Sequence, residues 1–251
     1  MTWQRFSVAV LSVVCVQTTI IDLQAQKIQT RRVNVQVDGG RPLAGERSCF
    51  AVSPTGKIAF TWTLAAGEFD CKPLGIVSTD GRITYSAIDS ETTWNVEGWG
   101  SFGHPSDIVY DHLGHLHVAT RFHGQPYGID YWHQVDGRWR LETFGQDVTF
   151  GGNNVALELL SDGRPIVVCM TRDRTRLAVW QRTDDGQWNA ERPAELQGIA
   201  PGHFDIAVSG DGLLKVVSCP QNGGPRCATR NAAGTWNVVT ISKVGVCRNI
   251  S

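Results

Sequence analysis

The chain has 251 residues, enough for one domain with a sizeable hydrophobic core. Its 23 lysines and arginines stand against 24 aspartates and glutamates, a net charge of −1. The chain therefore lacks the basic field that a nucleic-acid partner requires. Glycine (27) and tryptophan (9) are abundant, and helical periodicity is absent beyond the N-terminus, which favours β structure.

The first 25 residues have the features of a secretory signal peptide. Arg5 supplies a positive charge, an apolar stretch runs from Phe6 to Val16, and Ala25 is a small residue suited to cleavage. Because Gln17 interrupts the apolar stretch, it is too short to span a bilayer. We therefore expect a secreted or periplasmic mature chain, residues 26–251, without stable membrane insertion.

The cysteine count is compatible with disulfide bonds in an exported protein. Loss of Cys15 with the leader leaves an even number of cysteines, which an oxidising compartment allows to pair. Position suggests two pairs. Cys49 and Cys71 would join a strand to a long loop, and Cys219 and Cys227 flank a short connection between two strands.

A unit of four predicted strands recurs four times in the chain. Each unit opens with a short strand that runs into a glycine turn, and these glycines recur at roughly 50-residue intervals: Gly56, Gly114, Gly163 and Gly212. A second strand, a variable loop and a third strand follow. A tryptophan after the next turn marks the fourth strand, at Trp94, Trp139, Trp188 and Trp236. In the first unit this pattern predicts a long loop from Thr63 to Asp80 and a third strand at Arg82–Ile88.

Four-stranded antiparallel repeats of this length predict an all-β protein, a β-propeller. Each sheet is apolar on both faces, so the sheets must stack radially to bury them. The predicted blades cover 47–104, 105–152, 153–202 and 203–247. Ring closure stays open: a strand within Lys27–Val37 could complete the last blade. Otherwise the chain could be a four-bladed ring, an open arc that dimerises, or a shortened form of a longer propeller.

The repeat pattern resembles that of the sialidase-like, BNR-type superfamily and of exported bacterial propellers with recurring Asp-Gly turns. The resemblance is carried by the recurring order of strand, Asp-Gly turn, strand, loop, strand and Gly-x-Trp turn. The turns DGRW at 136–139 and DGQW at 185–188 depart from the Asp-box of that superfamily. The resemblance implies ligand binding at the end of the propeller where the loops meet. Arg121 and Tyr127 with His123 suit an acidic glycan, because they would neutralise a carboxylate and transfer a proton. Some BNR-type polysaccharide lyases are similar in using histidine and tyrosine in this way.

Six further residues are candidates for ligand binding at the loop end: His104, Asp107, Asp130, Asn154, His203 and Asp205. Asp107 and Asp205 occupy the same repeat position and are expected to face the central channel. We interpret His117 as a packing histidine between blades rather than a metal ligand, and we predict no metal. Phosphate-binding glycine loops, dinucleotide fingerprints and paired-cysteine zinc motifs are absent, so no cofactor is predicted.

These observations lead to three hypotheses about function. The first is an exported module that binds glycans or another extracellular partner. The second is a carbohydrate-active enzyme, a glycoside hydrolase or a lyase of acidic glycans, with Arg121, His123 and Tyr127 at its centre. The third is a structural role in which an unclosed propeller recruits a second chain.

Overall fold

The structure is a computed structural model of the whole chain. The residues it describes are 41–42, 49–61, 64–65, 73–77, 83–87, 106–122, 128–145, 155–173, 175–220 and 224–242. All of them belong to one compact unit, Gln36–Ile250. The predicted signal peptide and the strand predicted within Lys27–Val37 lie outside them. No helix in the described ranges is long and apolar enough to cross a membrane.

The described residues form a two-stranded ribbon and four larger sheets. In the ribbon, β1 (Arg41–Pro42) pairs with β4 (Leu64–Ala65). Sheet 1 contains β2 (Cys49–Val52), β3 (Ile58–Thr61), β5 (Pro73–Val77) and β6 (Ile83–Ala87). Sheet 2 contains β7 (Ser106–Tyr110), β8 (Leu116–Phe122), β9 (Gly128–Val135) and β10 (Arg138–Phe144).

Sheet 3 contains β11 (Val155–Leu159), β12 (Pro165–Met170), β13 (Leu177–Arg182) and β14 (Trp188–Glu191). A short 3₁₀ helix, Ala194–Leu196, precedes sheet 4. Sheet 4 contains β15 (Ile199–Val208), β16 (Leu214–Pro220), β17 (Arg226–Arg230) and β18 (Trp236–Thr240).

Each of the four sheets is antiparallel, with its strands in chain order. The first strands of consecutive sheets adjoin one another, β2 beside β7, β7 beside β11 and β11 beside β15. These four strands are therefore the innermost strands of a radial stack. The predicted all-β propeller architecture of four-stranded antiparallel blades is confirmed.

The glycine turns between the first and second strands repeat in detail. Gly56, Gly114, Gly163 and Gly212 have φ values of 83°, 84°, 83° and 79°. Residues with a side chain are strained at such angles, so glycine suits the position. In sheet 2 the Gly114 N–H donates to the carbonyl of Asp111 at 3.1 Å, and the Asp111 N–H donates to the carbonyl of His115 at 2.9 Å.

The strand assignment predicted for the first repeat is wrong. The third strand is β5, which lies within the stretch predicted as a long loop, and the residues predicted as the third strand form β6, the fourth. The segment between them contains Asp80-Gly81, a dipeptide typical of hairpin turns. Ile83 thus occupies the repeat position of Trp188, and Trp94 does not mark the repeat. The dipeptide was the better guide because a hairpin turn depends on its backbone angles, whereas several apolar residues can fill the following position.

Alternation along the strands gives each sheet two faces, and consecutive sheets pack face to face. We call the face towards the preceding sheet the leading face and the face towards the following sheet the trailing face. An apolar cluster with Ala59, Ile108 and Trp132 joins sheets 1 and 2. A cluster with Ile129 and Val167 joins sheets 2 and 3, and a larger cluster joins sheets 3 and 4. Burial of one valine, isoleucine or leucine side chain in such a cluster contributes about 1.5–3 kcal/mol to the stability of the fold.

A charged contact repeats between sheets 2 and 3 and between sheets 3 and 4. Arg182 Nε and Trp188 Nε1 donate to Glu142 Oε2 on the preceding sheet, at 2.9 Å and 2.8 Å. One sheet further on, Arg230 makes a salt bridge to Glu191, and Trp236 Nε1 lies 3.4 Å from Glu191 Oε2. We call this arrangement the Glu–Arg–Trp clamp. Trp188 and Trp236 are therefore contacts between sheets.

The register in sheet 4 does not support the disulfide predicted between Cys219 and Cys227. Cys227 pairs with Val217, so Cys219 lies diagonally across from it. Diagonal neighbours are roughly 7–8 Å apart, whereas bonded cysteines have Cα atoms about 4.4–6.8 Å apart. The predicted Cys49–Cys71 pair stays a prediction, because Cys71 lies outside the described residues.

Candidate functional site

Three acidic residues lie on three different innermost strands: Asp107 on β7, Glu158 on β11 and Asp205 on β15. Their charges interact, because Asp205 raises the pKa of both Asp107 and Glu158. Sheets 2 and 4 are not neighbours, so an interaction between Asp107 and Asp205 indicates that the innermost strands converge. We call these residues the inner acidic cluster.

Asp107 connects sheet 2 to sheet 3. Its Oδ1 accepts a hydrogen bond from the Ile108 N–H at 2.9 Å, and its Oδ2 accepts one from the Leu157 N–H of the next sheet at 2.7 Å. The pKa of Asp107 is raised to about 7, mainly by burial and also by the charges of Asp205 and Glu158, against the lowering effect of the Leu157 and Ile108 N–H groups. With both oxygens bonded to backbone, Asp107 acts first as a structural link between sheets.

Glu158 uses only part of its carboxyl group within the described residues. Its Oε2 accepts a bond from the Leu159 N–H at 3.2 Å. Burial raises its pKa to about 7, the Leu159 N–H lowers it, and the charge of Asp205 raises it. At neutral pH the group is therefore a mixture of carboxylic acid and carboxylate, able to donate as well as accept hydrogen bonds.

Asp205 occupies in sheet 4 the repeat position of Asp107. Its Oδ1 accepts a bond from the Ile206 N–H at 2.8 Å, as Asp107 does from Ile108. Burial raises the pKa of Asp205, and the Ile206 N–H opposes this. The sequence analysis predicted that Asp107 and Asp205 face the central channel, and in the structure the charge of Asp205 acts on both Asp107 and Glu158.

Glu158 is the residue that the sequence analysis missed. It lies two positions after Ala156, which holds in sheet 3 the repeat position of Asp107, and so it lies on the same face of its strand. The available signal was a single charge within VALELL, an otherwise apolar innermost strand. A charge at such a position departs from the repeat and from the usual burial preference.

Asp130 lies away from the inner acidic cluster. It is 3% exposed, pairs with Thr120 and Thr143, and its Oδ1 accepts a hydrogen bond from Thr143 Oγ1 at 2.7 Å. Its register places it on the leading face of sheet 2, the face opposite to Asp107. The structure therefore gives Asp130 a packing position between sheets 1 and 2.

The structure does not describe the side chains of the remaining predicted site residues. Arg121 lies in β8 opposite Ile129, and His203 lies in β15, but neither side chain is among those described. Outside the described residues altogether lie His104, His123, Tyr127 and Asn154. The grouping of Arg121, His123 and Tyr127 stays a prediction.

A second polar group lies on the trailing face of sheet 2, near the glycine-turn end. A hydrogen bond joins His117 Nδ1 and the Tyr131 hydroxyl, and Asp111 Oδ2 lies 3.7 Å from His117 Nε2. Burial lowers the pKa of His117 to about 4, so the ring is neutral at physiological pH. His133 stacks against Tyr131, and burial lowers its pKa as well. This arrangement agrees with the interpretation of His117 as a packing histidine between blades.

Metal coordination finds no support in the parts of the chain that the structure describes. No group of three or more histidine, cysteine, aspartate or glutamate residues there is arranged to hold a metal ion. What the inner acidic cluster offers is a carboxyl group that titrates near neutrality, and carboxyl groups of this kind bind hydroxyl-rich ligands or transfer protons.

Comparison with known proteins identifies a fold rather than a family. No protein-family model matches the chain, and no curated protein sequence does either. Among solved structures, AofleA from Arthrobotrys oligospora has a TM-score of 0.58 at 11% identity, over 77% of this chain and 55% of that chain. The polysaccharide lyase Uly1 has a TM-score of 0.50 at 11% identity, over 79% of this chain and 49% of that chain.

A β-1,3-galactosidase of family GH43, BT0265, has a TM-score of 0.49 at 13% identity, over 76% of this chain and 44% of that chain. The chain thus spans about half the length of these similar structures. At identities this low, the similarity concerns the fold. Together with the four antiparallel sheets, the similarity to AofleA and to Uly1 indicates a β-propeller-like fold.

Proposed function

We propose that the chain is an exported β-propeller that binds glycans where its innermost strands converge, with Glu158 as a contact residue. The observation that carries the proposal is the position of Glu158, which departs from the repeat and has a pKa of about 7. Asp107 and Asp205 recur at one repeat position and serve the scaffold, so a charge that does not recur calls for another explanation.

The chemistry of Glu158 suits a sugar ligand. A sugar hydroxyl both donates and accepts hydrogen bonds, and a carboxyl group near its pKa can meet either requirement. A glycan bound at the loop end of the propeller would also contact the predicted residues His104, Asn154 and His203. The proposal includes membership of the sialidase-like superfamily, which the resemblance of the repeat pattern supports.

A glycan array with the full chain, followed by calorimetry on the sugars retained, tests this proposal. Glu158→Gln keeps the shape of the side chain and removes its charge, and we expect at least a roughly tenfold loss of affinity, the value of one charged hydrogen bond. Asp184→Asn is the matched control, because its side chain is 90% exposed at a turn between β13 and β14. Unchanged affinity in Glu158→Gln would remove Glu158 from the site.

A second candidate function is hydrolysis or lyase cleavage of a glycan, and the raised pKa of Glu158 favours it. A carboxyl group with a pKa of about 7 is suited to general acid catalysis at neutral pH. Incubation with polysaccharides should then release reducing ends or unsaturated uronate. Loss of turnover in Glu158→Gln assigns the acid to Glu158, whereas loss only in His123→Ala assigns the chemistry to the predicted Arg121, His123 and Tyr127 group.

Export belongs to the same proposal. The predicted leader supports it, because its positive charge, its apolar stretch and the small residue before Gln26 are those of a secretory signal peptide. N-terminal sequencing of the chain recovered from an exporting host tests it, and a mature chain that begins near Gln26 is the expected result. Recovery of the chain in the cytosol with Met1 retained would contradict it.

A further inference from the structure

We propose that the trailing face of sheet 4 and the leading face of sheet 1 are the two halves of one more inter-sheet interface, formed between two copies of this chain. The contact would be head to tail, with sheet 4 of one copy packed on sheet 1 of the next. This proposal concerns assembly and does not depend on the proposed glycan site.

The leading face of sheet 1 is apolar and uncovered. Phe50 is 45% exposed, Val52 is 56% exposed, and Ile58, which pairs with Val52, is 38% exposed. The opposite face of the same strand packs normally against sheet 2, through Ala51 and its neighbours. Adjacent large apolar side chains on one exposed sheet face are typical of an interaction surface.

The trailing face of sheet 4 presents an apolar residue where two other sheets have the clamp glutamate. Val239 follows Trp236 at the same distance as Glu191 follows Trp188 and Glu142 follows Trp139. Val239 is 57% exposed, whereas both glutamates bond to an arginine and a tryptophan of the next sheet. A glutamate at this position in sheet 4 would need such a partner.

Sheet 1 also has apolar residues where sheets 3 and 4 have the arginine and tryptophan of the clamp. Arg182 pairs with Trp188, and Arg230 pairs with Trp236. The equivalent pair in sheet 1 is Val77 with Ile83. The acidic residue and its arginine partner are therefore both replaced by apolar residues at the equivalent repeat positions of sheets 4 and 1, as expected if those two sheets meet.

The innermost strands show the same complementarity. Asp107 accepts a bond from the Leu157 N–H of the next sheet, and Asp205 is the repeat equivalent of Asp107. Phe50 is the repeat equivalent of Leu157, and the alternation of the β2–β3 ladder directs its N–H away from β3. Among the described donors Asp205 accepts only from Ile206, so its second oxygen is placed to accept the Phe50 N–H of another copy.

We infer a second copy as the occupant because the part of the chain that the structure describes does not bring these two faces together. In the described residues, sheets 1 and 4 make no contact comparable to those of consecutive sheets. The exposed fractions of Phe50 and Val239 are those of uncovered residues. Identical copies joined head to tail form a closed ring when the rotation per copy divides a full turn.

The test is the mass of the full chain by light scattering during gel filtration, over about a hundredfold range of concentration. We expect a species above the 27.5 kDa of one chain that dissociates on dilution. In Val239→Glu an unpaired carboxylate would meet the Val77 and Ile83 positions, and association should weaken on the order of a hundredfold. A wild-type monomer at every concentration overturns the proposal.

A charge swap distinguishes assembly from closure within one chain. Val77→Arg alone should also weaken association, because its charge would meet Val239. An equal mixture of Val239→Glu and Val77→Arg chains should associate again, because each tail then meets a matched head and a copy of the Glu–Arg pair is created. A mixture that remains monomeric contradicts assembly between copies. So does a chain with both substitutions, Val239→Glu and Val77→Arg, if it stays a monomer at every concentration.

Leu113→Glu is the matched control for the apolar-to-acid change. Leu113 is 69% exposed at the turn of sheet 2 and lies on neither uncovered face. Its variant should keep the wild-type mass. Far-UV circular dichroism of Val239→Glu checks that the monomer is folded, and a folded variant that keeps the assembly would show that Val239 is not in the interface.

Discussion

The interface between sheets 2 and 3 and the interface between sheets 3 and 4 share one contact and differ in what surrounds it. Both have the Glu–Arg–Trp clamp, built on Glu142 in the first and Glu191 in the second. Between sheets 3 and 4 the centre is a large apolar cluster that includes Met170 and Phe204. Between sheets 2 and 3 the apolar cluster is accompanied by His117, which is 8% exposed.

This difference shows which part of the repeat is structural and which part can vary. The clamp joins the outer strands of consecutive sheets, and it repeats because the same geometry recurs at each step. The residues nearer the turns only have to fill space and satisfy their polar atoms. One interface therefore depends mainly on packing, whereas the other also depends on protonation.

The largest expected effect is a cavity in the apolar interface. Phe204 is 1% exposed between sheets 3 and 4, and Phe204→Ala should lower the free energy of unfolding by about 3–5 kcal/mol. The loss should be the same at pH 7 and pH 5, because it arises from packing. Urea unfolding at both pH values measures it. Leu113→Ala at an exposed turn is the control and should change stability by less than about 0.5 kcal/mol.

The next effect concerns protonation of His117 between sheets 2 and 3. Its folded-state pKa of about 4 lies below the unfolded value of 6.5, so its contribution is fully present above pH 6.5 and is lost as the pH falls towards 4. The loss amounts to about 3 kcal/mol at most. We expect His117→Phe to remove this part of the acid sensitivity in urea unfolding at pH 7, 5.5 and 4.5.

Other titratable groups near His117 also change the stability of the fold with pH, so the measurement is a comparison between wild type and His117→Phe. Asp111, His115 and His133 affect its pKa, and Asp107 on the same face has a raised pKa, so it changes stability with pH in the opposite direction. The difference between wild type and His117→Phe isolates the one ring. Leu113→Ala, at a side chain 69% exposed at the turn of the same sheet, is the control and should leave the pH dependence unchanged. Equal acid sensitivity in wild type and His117→Phe would contradict the assignment.

A smaller effect is the difference in stability that the two Glu–Arg–Trp clamps provide. Glu142→Gln should cost about 2 kcal/mol, because the charged bonds of Arg182 and Trp188 are weakened in a side chain that is 22% exposed. Glu191→Gln should cost about 1 kcal/mol, since Glu191 is 37% exposed and its tryptophan contact is longer. Chemical unfolding of both variants at low and high salt compares them. An equal cost at both sites would mean that exposure does not decide the strength of the clamp.

The smallest effect is of opposite sign to that of His117. The folded-state pKa of Glu158, about 7, lies above its unfolded value of 4.5, so ionisation destabilises the fold as the pH rises from 4.5 to 7. Glu158→Gln should therefore be more stable than wild type by about 1–2 kcal/mol at pH 8 and equal to it at pH 4. Thermal melts across this range measure it. A variant less stable than wild type at pH 8 would show that the carboxylate is satisfied in the fold.

The repeat pattern alone was sufficient to predict the architecture. Turn glycines such as Gly114 and Gly163 require positive φ angles, and short alternating strands require a sheet on either side. Local rules of this kind can be read without coordinates. The prediction failed in the first repeat, where Trp94 was used as the marker instead of Asp80-Gly81, because packing between sheets accepts Ile83 at the position of Trp188.

The sequence by itself determined the fold class, the turns and the shared repeat position of Asp107 and Asp205, because all of these depend on local backbone preferences and on periodicity. Only the tertiary structure decided that Asp107 bonds across to Leu157, that Glu158 joins the inner acidic cluster and that Asp130 lies on the opposite face. These relations depend on which faces meet when sheets stack. A side chain acquires its partner and its pKa from a neighbour about 50 residues away, and no local pattern records that neighbour.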